Sequence, residues 1–295
     1  GESGCGKSTL ARLIMHLIPK DSGELVFDGD PIGGQHGLTL RELRRNMQMV
    51  FQDSYSSLNP RLPVQESIAY GPRAHGISRA EAKILARDLL DKVGLRPELF
   101  GARYPHELSG GQKQRVNIAR ALALNPRMLL LDEAVSALDK SVEAQVLNLL
   151  GNLKRQFNLT YLFISHDLSV VQYISDRVLV MYLGEIVEIG PVDDVYAKPR
   201  HPYTKALLES RLAMDPGERI DEAPITGDPP NPINPPSGCR FHARCPFAEA
   251  ICEAHAPTLS GIVEDGHLVA CHMAQPGSGH RRAGQIPSNK MSRGH

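Results

Sequence analysis

The chain opens on GESGCGKST, residues 1–9, and this stretch limits the available folds more than any other. It fits G-x-x-x-x-G-K-[ST], with Gly1, Gly6, Lys7 and Ser8 at the fixed positions and Glu2, Ser3, Gly4, Cys5 and Thr9 completing the loop. Glycines carry no side chain, so the backbone can curl around phosphate oxygens and aim its N–H groups at them. The helix starting near Lys7 adds the positive end of its dipole. Lys7 brings a full charge to the β- and γ-phosphates, and the Ser8 hydroxyl can ligate Mg²⁺. The competing reading is a plain glycine-rich turn before a helix. A loop of this kind hangs between a buried strand and a helix. Here the helix TLARLIMHLI follows at once, residue 1 is not methionine, and the supporting strand is expected upstream of a truncated start.

Apolar strands alternating with helices indicate an α/β sheet covered on both faces. ELVFDG, MQMVFQ, MLLLDE and TYLFIS read as strands, and RVLVMYLGEIVEIG as a hairpin turning near Leu183-Gly184. VEAQVLNLLGNLKRQF reads as an amphipathic helix. SRAEAKILARDLLDKVG starts with a capping box, Ser78 to Glu81, and its period places Ile84, Leu85, Leu89 and Val93 on one face. Residues 1–53 and 128–200 then read as one nucleotide-binding α/β core lacking its first strands, and 54–127 as a helical subdomain. A C-terminal extension covers 201–272, with a linker at 224–238 carrying six prolines in PITGDPPNPINPPSG, and 273–295 is a disordered tail. Lys+Arg and Asp+Glu are both 33, which argues against a nucleic-acid partner. No apolar run has the length of a membrane span.

Two further constellations carry chemistry. MLLLDE delivers Asp132 and Glu133 at a strand end. Beside a phosphate loop, Asp132 is placed to hold Mg²⁺ and Glu133 to take a proton from an attacking water. Alone, two acids at a strand end are commonplace. LSGGQKQRVNIARALALNP puts Leu108, Ser109, Gly110, Gly111 and Gln112 at a helix start, a second anion site of N–H groups and a hydroxyl. Two phosphate-reading loops on one chain cannot easily meet at one γ-phosphate. Two chains arranged head to tail, each closing the other's nucleotide, resolve this.

LSGGQ with QRVNIARAL, together with GESGCGKST, resembles the ATP-binding cassette family. The resemblance implies a P-loop NTPase core with an inserted helical subdomain. It further implies ATP and Mg²⁺ as ligands and hydrolysis to ADP and phosphate. Gln52 in VFQD resembles that family's Q-loop glutamine, SALD at 136–139 its D-loop, and His166 in ISHD its switch histidine on the γ-phosphate. Ser8, Gln52 and Asp132 are then the Mg²⁺ residues, and Glu133, His166 and Gln52 the catalytic set. Lys140 stands where the family often has an apolar residue, and an upstream aromatic that stacks on adenine is missing.

FQDSYSSLNPRLPV, HPYTKALLES and DEAVSALD are similar to oligopeptide/dipeptide/nickel importer ATPases, the last to the second of two paired ATPase subunits. Such a subunit pairs with another ATPase and sits peripherally on the cytoplasmic face of the inner membrane. It docks there on two permeases that a solute-binding protein feeds. Nickel, glutathione or another small solute, a non-transport cassette ATPase, and an inactive fragment stay open as alternatives. Cys239, Cys245, Cys252 and Cys271 are spaced C-x5-C-x6-C-x18-C, which does not suit zinc pairs or common ferredoxin runs. CRFHARCP and HLVACH resemble the importer C-terminal segment, where some members carry a [4Fe–4S] cluster. Structural thiols are the other reading. Cys5 stands in the loop where Ser is usual.

Overall fold

The computed structural model describes residues 1–33, 37–51, 53, 56–212, 227–228, 230–261 and 266–285. The chain divides into two compact units, Ser8–Ser165 and Gly1–Lys7 with His166–His295.

Helix α1 (Lys7–Ile14) leads into the first unit. The expected strand ELVFDG is instead a minimal hairpin, β1 (Val26–Phe27) against β2 (Asp30–Pro31). Asp28 and Gly29 both have positive φ, 59° and 92°, so the chain reverses at once, and Val26 is left exposed. Helix α2 (Leu40–Asn46) starts on a Thr39–Glu42 capping box and leads into β3 (Met47–Val50). Four helices follow: α3 (Val64–Ala74), α4 (Arg79–Lys92), α5 (Pro97–Phe100) and α6 (Gly110–Leu122). The chain then returns as β4 (Met128–Asp132), α7 (Lys140–Phe157) and β5 (Thr160–Ile164). Strands β3, β4 and β5 form a parallel sheet with β4 central, and Leu129, Leu130 and Leu131 are fully buried. An unbroken apolar run fits a strand covered on both faces. Leu130 packs with Ala11, Met15, Leu43, Met47, Met49 and Ile164 in one core.

The Ser78–Glu81 capping box is present at the start of α4. Of the expected stripe, Leu89 and Val93 are buried and Ile84 and Leu85 are not. Ala82, Ala86, Leu89, Leu90 and Val93 are buried, whereas Ile84 is 68% exposed. The observed stripe keeps the helical period, and α4 packs on α3 and α6.

In the second unit, α8 (Leu168–Ile174) precedes the hairpin β6 (Arg177–Tyr182) and β7 (Glu185–Pro191). Leu183 and Gly184 both take positive φ, 44° and 83°, the two-residue turn the sequence predicts. Helices α9 (Val192–Ala197), α10 (Pro202–Leu212) and α11 (Ala250–Ala254) follow. Strand β8 (Leu268–Val269) pairs antiparallel with β7, so the cysteine-bearing extension continues that sheet. Of the stretch expected as a disordered tail, 273–285 are described, and Met273 and His280 are buried in this unit. Most of the expected linker is described too, at 227–228 and 230–238.

Candidate functional site

The phosphate loop is shaped by residues that only glycine satisfies. Gly4 and Gly6 have φ of 78° and 101°. A Cβ at Gly1 would lie 2.2 Å from the Met181 carbonyl oxygen. The Cys5 N–H donates to the Glu2 carbonyl at 3.3 Å, and the Cys5 carbonyl accepts the Gly184 N–H at 2.8 Å, so the tip of the β6–β7 hairpin holds the loop. The Lys7 ammonium donates to the carbonyls of Gly1 and Glu2 at 2.8 and 2.9 Å and lies 3.7 Å from the Cys5 sulfur. Ser3 and Gly4 are exposed on the loop, as is Thr9 on the first turn of α1. Cys5 is buried.

Two contacts on this loop were not foreseen. The Glu2 N–H donates to Tyr203 Oη at 2.8 Å, and the Arg244 guanidinium donates to both Glu2 carboxylate oxygens at 2.9 and 3.2 Å. The Glu2 carboxylate and the Tyr182 hydroxyl hold Arg244 firmly charged. The signal was in hand, because Tyr203 and Arg244 lie in the two family-like stretches HPYTKALLES and CRFHARCP.

In the other unit the sheet delivers the acids. Asp132 ends β4 and is buried, and Ser8 Oγ donates to its Oδ1 at 3.2 Å. Two of the three Mg²⁺ candidates, 124 residues apart, thus meet. Glu133 follows with φ 48°, unusual for a side-chain-bearing residue. Its N–H donates to Ile164 on β5 at 2.9 Å, and its carbonyl accepts the Ser136 N–H and hydroxyl at 3.1 and 2.9 Å. Bonds on both sides sustain such a conformation, which is common at reactive positions.

Ser109 caps α6, its hydroxyl accepting the Gln112 N–H at 3.4 Å while its own N–H donates to the Gln112 side chain at 3.0 Å. Leu108 is buried, and Ser109 and Gly110 are exposed. A Cβ at Gly111 would lie 2.4 Å from Val142 Cγ1, which explains the second glycine. Asp139 caps α7 through Val142 N–H and the Ser141 hydroxyl, at 3.0 and 2.8 Å. Lys140, unexplained from sequence, pairs with the mostly buried Glu143 at 3.0 Å. Gln52 lies outside the described residues. His166 stands exposed at a bend before α8, which Asp167 caps.

The late cysteines converge. Cys239, Cys245, Cys252 and Cys271 line one cavity of about 20 Å³ with Phe241 and His272. All are free thiols. Burial, with smaller contributions from neighbouring thiols, pushes Cys239 up to about 11 and Cys271 up to about 12. Among the described residues no three His, Cys, Asp or Glu side chains come close enough to hold a single metal ion.

Residues 1–136 match the family model described as ABC transporter. The chain is 29% identical, with a TM-score of 0.61, to the structure of cbiO1 from Clostridium perfringens, part of the ABC transporter complex cbiONQ. That match covers 72% of this chain and 83% of the other. It is 53% identical to a probable peptide ABC transporter ATP-binding protein, y4tS, of Sinorhizobium fredii, covering 94% of this chain and 78% of the relative. The chain belongs to the ATP-binding cassette transporter family, among its ATPases. Residues 187–252 further match the oligopeptide/dipeptide transporter C-terminal region. The di/tripeptide transport ATP-binding protein DppF of Pseudomonas aeruginosa is 47% identical over 93% of this chain and 84% of its own. A putative oligopeptide transport ATP-binding protein, YkfD, of Bacillus subtilis is 49% identical over 92% and 84%. Among the described residues no helix is long and apolar enough to cross a membrane.

Proposed function

We propose that this chain binds and hydrolyses MgATP to power peptide uptake, as the ATPase subunit of an importer. The observation that carries the mechanism is the Ser8–Asp132 hydrogen bond, which joins the first turn of α1 to the end of β4. Lys7 and the loop amides of residues 1–9 bind the β- and γ-phosphates. Ser8, Asp132 and Gln52 would hold Mg²⁺, which would supply charge neutralisation at the transferring phosphoryl group. Glu133 orients and deprotonates the attacking water, and His166 contacts the γ-phosphate. Leu108 to Gln112 read the ATP of a second ATPase in a head-to-tail pair. Two permeases at the cytoplasmic face of the membrane, fed by a solute-binding protein, complete the assembly. Peptide cargo is supported by the names of relatives 47–53% identical and by the match over 187–252.

The four late cysteines are the ligands we propose for a [4Fe–4S] cluster. Four thiols lining one cavity meet the ligand count of such a cluster. Such a group supplies electron-transfer or structural chemistry, and no step of ATP hydrolysis depends on it.

MgATP hydrolysis by the protein with its paired subunit tests the main reading. Glu133→Gln should lower turnover by about 100-fold or more while ATP affinity persists. Unchanged turnover would remove Glu133 from its role, and uptake of nickel or glutathione without peptide would overturn the cargo.

A further inference from the structure

HPY at 201–203 and CRFHARC at 239–245 take no part in the ATP chemistry assigned above. Both stretches reach the same residue of the phosphate loop. Tyr203 takes the Glu2 backbone N–H and Arg244 forks the Glu2 carboxylate, all within one compact unit.

Each grip is built from buried parts. Tyr203 is fully buried, its ring packed on Tyr182 and Phe241 with centroids 4.7 and 5.3 Å away. Its own N–H donates to His201 Nδ1 at 3.0 Å, and the His201 N–H donates to the buried Glu188 carboxylate at 3.0 Å. The Arg244 side chain is 6% exposed and also donates to Tyr182 Oη at 3.4 Å. An exposed ion pair contributes little, but a bidentate pair on a buried guanidinium is strong and directional. The residue so gripped is central to the loop, because the Glu2 carbonyl accepts from Lys7 Nζ and from the Cys5 N–H.

We propose that Tyr203 and Arg244 are positioning residues for ATP: by fixing Glu2 at its amide and its carboxylate they place the Lys7 ammonium and the loop amides, so the C-terminal region sets nucleotide affinity. The proposal rests on the reading of residues 1–9 as the ATP site. It gives both stretches a shared physical role in that site.

The test is equilibrium ATP binding by the protein carrying Glu133→Gln, so that nothing turns over. Arg244→Ala should raise Kd about tenfold, as expected for a hydrogen bond to a charged group. Arg244→Lys should fall between, since an ammonium cannot fork the carboxylate. Tyr203→Phe keeps the ring and removes only the acceptor, and should weaken binding about threefold or more. On a Glu2→Ala background, Arg244→Ala should shift Kd by less than about twofold, because its partner is gone. A merely structural loss would lower the melting midpoint or the binding-competent fraction and leave Kd of the folded fraction unmoved. Unchanged Kd in both Arg244→Ala and Tyr203→Phe, or the same Arg244→Ala effect with and without Glu2, would overturn the proposal. If the Glu133→Gln parent itself fails to bind ATP, the reading of the loop falls instead.

Discussion

His201 makes stability acid-sensitive, and the size of the effect follows from its surroundings. The residue is buried, and burial holds its imidazole down to about 4 from the usual 6.5, against the opposing pull of the Glu188 charge. The cost is concrete, since Nδ1 must stay unprotonated to accept the Tyr203 N–H. Below pH 6.5 the unfolded chain takes a proton that the folded chain refuses. Stability from this residue is therefore complete above 6.5 and falls with pH until about 4. The slope approaches about 1.4 kcal/mol per pH unit and the total is roughly 3 kcal/mol. Glu188 acts at lower pH. Burial pushes its carboxyl up, but the His267 hydrogen bond and the N–H groups of Arg200 and His201 outweigh this and hold it below 4.5. Its contribution is lost only as pH falls through that lowered value. His201→Asn offers an oxygen to the Tyr203 N–H and cannot titrate. Urea unfolding followed by near-ultraviolet circular dichroism of the Tyr182–Tyr203–Phe241 cluster, at pH 7.5, 6.5, 5.5 and 4.5, separates the two proteins. The variant should start less stable and lose less on acidification, by up to one proton's worth of slope. Parallel pH profiles would refute the reasoning.

Gly111→Ala places a methyl 2.4 Å from Val142 Cγ1 on a stiff β-branched side chain. Overpacking of about 1–3 kcal/mol should exceed the ~1 kcal/mol that Ala gains over Gly in a helix. Urea unfolding should show net destabilisation, relieved when Val142→Ala is added. Iron analysis of anaerobically purified protein should return about four irons per chain, falling below one in Cys245→Ser or Cys271→Ser. Iron-free wild type would leave the four thiols a structural role.

Much of the ATP half was legible because backbone geometry dictates its residues. The positive φ at Gly4 and Gly6, the cap at Ser109 and the buried run of β4 each demand particular residue types at fixed spacing. In α4 the period places Leu89 and Val93 inward, but it does not by itself choose Ala82 and Ala86 over the larger Ile84 and Leu85 for the rest of the stripe that meets α3 and α6. Contacts between distant segments carry no periodic signal at all. Glu2 and Arg244 are 242 residues apart, and nothing local in either stretch names the other.

His-Pro-Tyr illustrates the difference between recognising a stretch and explaining it. His201 presents Nδ1 to an N–H at the start of α10, as a Ser or Asp cap would, and Pro202 fills a position where no N–H is needed. That helix start aims Tyr203 inward, where its hydroxyl meets Glu2. A Ser cap would supply the same acceptor with no proton to take up on acidification, so local helix chemistry alone does not select histidine. What His201 adds is a ring that packs on Phe241, at 5.8 Å between centroids, while its backbone N–H is held on Glu188. The residue therefore joins the α10 cap to the aromatic cluster that supports the phosphate loop. On this account Tyr203→Phe should alter nucleotide affinity with little change in the acid profile, and His201→Asn should alter the acid profile first.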